Sequence, residues 1–77
     1  MKRERHVYEI ARYHCMDCIA SMSLALAEEK PAEFDLFRSL YDTAVERVKD
    51  KNPQIAHQMG KLVGKLNERR QEIPNQQ

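Results

Sequence analysis

The 77-residue chain has no tryptophan, only two glycines and only three prolines. So little glycine rules out a glycine-rich phosphate cradle, and no serine sits in a strained nucleophile turn. No apolar run approaches the roughly 20 residues of a membrane-spanning helix. The basic start Met1-Lys2-Arg3-Glu4-Arg5 leads into an amphipathic segment rather than a signal-peptide core. The expected setting is therefore the cytoplasm, with no membrane partner. An excess of either charge is also missing: 13 basic side chains face 12 acidic ones, a formal +1. No global field draws the chain to nucleic acid or anionic lipid, so any such binding needs a local patch.

Cysteines number only two. The two cysteines, Cys15 and Cys18, stand three apart, badly placed to bridge each other on one helix, and no second pair exists. Length is the last shortage. One core of this size yields roughly 3–5 kcal/mol, so a single domain over residues 1–77 is expected, and self-association is the natural supplement.

What the chain does have is helical periodicity. Apolar residues at 42% and charged residues at 32% fit a soluble globular domain, and no stretch alternates as a strand would. Tyr8, Ala11, Cys15, Cys18, Met22 and Ala25 recur at steps of three and four, which predicts a first helix over about 4–28. Val7, Ile10 and Leu24 lie off that stripe. Pro31 suits a first helical position, and Phe34, Phe37, Leu40, Tyr41, Ala44, Val45 and Val48 predict a second helix over about 32–51 with the aromatic centre of the core. Asn52-Pro53 repeats the start signal more strongly, an N-cap followed by proline. Ile55, Met59, Leu62, Val63 and Leu66 then predict a third helix over 53–70, and residues 71–77 read as a frayed tail. The fold class is all-α: an antiparallel hairpin plus a third helix, a three-helix bundle that dimerises.

Several residues invite a chemical reading. Cys15 and Cys18, with His14 and His57, are the candidate metal ligands, although zinc wants four donors and the chain supplies one cysteine pair. The packing alternative, cysteines as small buried hydrophobes, is preferred, so no cofactor and no metal are expected. A thiol paired with a histidine base lacks a pocket, and no enzyme is expected. Lys61, Lys65 and Arg69 fall four apart on the third helix, with Arg70 beside them; Lys2, Arg3 and Arg5 are possible additions to this candidate nucleic-acid face. A solvated face is the alternative. Ala56, Gly60 and Gly64, also four apart, make a smooth stripe suited to close helix packing within the fold or across a dimer.

Two short stretches resemble known families. The run "HCMDCIASMSLAL" resembles the metal-binding loop of heavy-metal-associated domains, but that family builds its loop on a four-stranded sheet, and the flanking segments here are helical. Ala11-Arg12-Tyr13, Asp35-Leu36 and the run Ser39-Leu40-Tyr41-Asp42-Thr43-Ala44-Val45-Glu46 resemble pieces of the Rop family of plasmid RNA-binding helical hairpins. In that register several of the family's large core positions fall on His14, Ser21 and Arg47, so membership in either family is not inferred.

These readings converge on a small non-enzymatic regulator or adaptor that binds another protein and self-associates, an inhibitor of a larger complex being one form. An RNA- or DNA-binding regulator using the third helix is the alternative, and a metal or thiol sensor at Cys15/Cys18 a lesser one.

Overall fold

The computed structural model describes residues 2–74, with side chains from His6 to Pro74. Three helices account for nearly all of it: α1 (Lys2–Ala27), α2 (Pro31–Lys51) and α3 (Pro53–Gln71). No strand occurs among the described residues. The fold is an all-α three-helix bundle, with the helix breaks at Pro31 and at Asn52-Pro53.

The first connection turns on an unexpected residue. Glu29 takes a left-handed backbone conformation with φ 54°. Lys30 N–H then donates to Ala25 O at 2.8 Å and Glu29 N–H to Leu26 O at 3.1 Å. This pair of bonds satisfies the last free carbonyls of α1 and reverses the chain within three residues, in the geometry that glycine usually supplies. Pro31 then opens α2 without needing a backbone donor, and Glu33 lies in the first turn, near the positive end of the helix dipole.

The second connection is a single residue. Asn52 N–H donates to Val48 O at 2.7 Å to close α2, while Asn52 Oδ1 accepts from Ile55 N–H at 3.1 Å to open α3. One side chain and one amide thus finish one helix and start the next.

The core is continuous and apolar. Cys15, Met22, Phe34 and Val48 are its largest fully buried side chains, and Ala11, Cys18, Ala25, Tyr41, Ala44, Ala56, Met59, Val63 and Leu66 surround them. Among the described residues no charged or polar side chain is buried. Phe37 packs against this core half-buried, so Phe34 carries the aromatic centre that the sequence assigned to both rings.

A side-chain clamp fixes α3 antiparallel to α2. Arg70 donates from Nε to Asp35 Oδ1 at 3.1 Å and from Nη2 to Oδ2 at 3.0 Å, and Arg38 Nη1 donates to Asn67 Oδ1 at 2.9 Å. These bonds tie the start of α2 to the end of α3. Beyond the helix, Glu72 N–H donates to Arg69 O and Ile73 N–H to Arg70 O, and Ile73 packs against the core. The expected fraying therefore does not begin at Gln71: an apolar residue two positions past the helix holds the chain down. Asn75, Gln76 and Gln77 lie outside the described residues.

Candidate interaction surface

Each group singled out for chemistry has a definite place in the bundle. Cys15 is 0% and Cys18 2% exposed, and both are free thiols. Burial, with the neighbouring Cys18 second, pushes the Cys15 thiol up to about 11; burial followed by Asp17 pushes Cys18 up as well. The thiolate is both the nucleophile and the metal ligand, so this environment works against either use. His14 and His57 are exposed while the thiols face inward. Among the described residues no group of three or more His, Cys, Asp or Glu side chains converges on one point. Two subunits meeting on the cysteine face would also fail to assemble four thiolates, because that face is already occupied by the core.

The basic residues divide. Lys61, Lys65 and Arg69 are exposed along the outer side of α3. Arg70 is not among them: its side chain is 18% exposed and held by Asp35, so it serves the clamp instead of a nucleic-acid face. The cleft beside it, lined by Phe34, Asp35, Arg38, Asn67, Arg70 and Ile73, holds two guanidinium groups. Asp35 bonds one, and Asp42 lies 3.7 Å from the other, which leaves no net charge for an anion. Lys2, Arg3 and Arg5 have side chains outside the described residues.

The small-residue stripe divides as well. Ala56 is part of the core. A Cβ added to Gly60 or Gly64 would meet nothing within 4 Å. Close helix packing inside the fold therefore accounts for Ala56 and for neither glycine, and the expected packing across a dimer is a matter for Gly60 and Gly64 alone. The spacing was right for one helix face, but that face turns from the core toward solvent between Ala56 and Gly64.

What remains is an apolar exterior. Val7, Ile10, Tyr13, Met16, Leu24, Leu36, Leu40 and Leu62 are between 40% and 66% exposed. Val7, Ile10, Leu24 and Leu36 are the ones whose positions off the main stripes mark them in the sequence. Tyr13 and Met16 carry no such mark, and Leu40 and Leu62, counted by their spacing with the apolar sets of the second and third helices, are 40% and 48% exposed. Leu40 and Leu62 fit their helices' periods yet sit on the rim of the buried arc, and only the orientation of neighbouring helices decides on which side of the rim a residue falls.

The exterior is also large. A compact 9.1 kDa chain exposes about 4,900 Å² by the usual mass scaling, whereas this one exposes 5885 Å². The elongated shape of the bundle, 48 × 18 × 15 Å, goes with this excess over a compact chain of the same mass. Among the described residues no helix is long and apolar enough to cross a membrane. No family model, no curated protein and no solved structure matches the chain.

Proposed function

We propose that this is a small, non-enzymatic, cytoplasmic regulatory or adaptor protein that works by binding another protein through its outer apolar side chains. The observation that carries this reading is the set of eight large apolar residues left 40–66% exposed on a bundle whose own core is complete. Scattered exposed apolar residues are ordinary, but a surface this rich in leucine on so small a protein favours an interface. The thiols that would carry chemistry are enclosed, which favours binding over reaction.

The test is capture with two baits after nuclease treatment: the wild-type chain and Leu36→Glu/Leu40→Glu. The reading expects one protein retained in fixed ratio by the wild type and lost by the variant, with circular dichroism unchanged. Retention of nucleic acid instead, released steeply by salt and abolished by Lys61→Glu/Lys65→Glu, would replace it with the nucleic-acid reading.

A further inference from the structure

A groove runs along the seam between α2 and α3, on the opposite side of α2 from Leu36 and Leu40. Its α2 wall is Tyr41, Val45 and Lys49, four residues apart and about 12 Å from end to end. Its α3 wall includes Ala56, His57 and Gly60, with Gly60 between the other two around the helix. The space is about 350 Å³, within the range of small-molecule sites.

Three features of this groove point to one kind of ligand. Tyr41 is 4% exposed, and its hydroxyl has no hydrogen-bond partner among the described residues. A buried tyrosine O–H ordinarily has one. The oxygen is not sealed in, since the enclosed unpaired polar atom of the described residues is Arg38 Nε, so a partner can reach it from the groove that Tyr41 lines. Burial first, then Cys15 and Asp42, pushes the phenol above its ordinary value, which keeps its proton available for donation. Charge is the second feature: Lys49 and His57 line the groove, and no carboxylate among the described residues does. Glu46 approaches Lys49 only to 4.0 Å with the two side chains 65% and 67% exposed, a pair worth little in water. The cleft at Arg38 and Arg70 has no such excess, because Asp42 and Asp35 match its cations. The third feature is Gly60, where an added Cβ would meet nothing within 4 Å. The wall there is bare backbone, opposite the apolar Val45 and beside Ala56, and a flat apolar body fits against it.

We propose that the groove binds a small hydroxyaryl carboxylate, its carboxylate at Lys49 and His57, its ring between Val45 and Ala56 over Gly60, and its hydroxyl accepting from Tyr41. About 12 Å between the end residues leaves room for a ring, a short arm and one polar contact at each end. An uncharged ring would leave Lys49 with its weak pair alone, and an aliphatic acid would leave the Tyr41 hydroxyl as it is. The site goes beyond partner binding and shares no residue with Leu36 and Leu40, so its failure leaves that reading standing.

The test is titration of the isotope-labelled chain with para-hydroxyphenylpropionate, followed by amide chemical shifts. A ligand this small is expected to bind with a Kd on the order of 0.5 mM, with saturating shifts at Val45, Ala56, His57 and Gly60. Tyr41→Phe is expected to weaken it about fivefold while leaving the weaker binding of phenylpropionate, which lacks the hydroxyl, unchanged. Lys49→Glu is expected to weaken both acids about fivefold. Gly60→Leu fills the open space and is expected to abolish binding without lowering the melting temperature, since leucine is the better helix former. No saturation by about 10 mM, shifts spread equally over Lys61 and Lys65, or an affinity that ignores any one of the three substitutions overturns the site.

Discussion

Replacing Gly60 and Gly64 with alanine separates two accounts of α3. Both glycines lie within a regular helix, and neither has a positive φ. Glycine in a helix interior is less favourable than alanine by about 1 kcal/mol, chiefly because the unfolded chain has more freedom to lose. An added methyl meets nothing within 4 Å at either site, so no steric term opposes the gain. The pair should therefore stabilise the protein by about 2 kcal/mol. In a domain of this size that raises the melting temperature by roughly 8–16 °C. Thermal unfolding followed by circular dichroism, with urea unfolding as a check on the slope, measures it. A double variant that melts at or below the wild-type temperature would refute the reasoning. It would show that the backbone at these glycines is approached more closely than the structure has it.

Four further outcomes follow from particular residues. Glu29→Gly removes the strain of a left-handed glutamate in the α1–α2 reversal and should stabilise the fold by about 1 kcal/mol, read from urea unfolding; a loss would mean that the turn is built differently. Asn52→Ala deletes the acceptor for Ile55 N–H and should destabilise by about 1 kcal/mol, with earlier hydrogen exchange at Ile55. Arg70→Ala releases the clamp on Asp35 and should speed amide exchange from Leu66 to Ile73 while leaving α1 protected; uniform loss of protection would contradict a local role. Finally, the Cys15 thiol is held near 11 when folded against an ordinary 9.0. The unfolded chain therefore loses this proton first as pH rises. Stability should be insensitive to this thiol below pH 9 and should fall by about 1.4 kcal/mol per unit between 9 and 11 on its account. The slope difference between wild type and Cys15→Ala over that range measures it; no difference would show that the thiol is not enclosed.

The fold was legible because three punctuation marks and one period carried it. Pro31, Asn52-Pro53 and the recurrence from Ala11 to Ala25 are local signals, and helix starts are governed locally. The α1–α2 turn was less legible, since glycine at the left-handed position would have announced it and the chain uses Glu29. Ile73 was missed for a related reason: one apolar residue in a polar tail has no period, and only the nearby core gives it a role.

The candidate surface was legible in part. Residues off the main stripe, such as Ile10 and Leu24, could be picked out from spacing on a single helix. Leu40 and Leu62 could not, because the width of each buried arc depends on where the other helices lie. Arg70 and the glycines mark the same limit from the other side. Charge and small size are properties of the sequence, but a salt bridge with Asp35 or open space beside Gly64 is a property of helix arrangement.

The most direct test of the whole account is oxidative footprinting of the pure protein, followed by the same measurement with its captured partner. The account expects Cys15, Cys18 and Met22 to stay unmodified in both, and Leu36 and Leu40 to be labelled alone and shielded in the complex. Rapid modification of Cys15 in the folded protein, or Leu36 and Leu40 labelled equally with and without the partner, would contradict it.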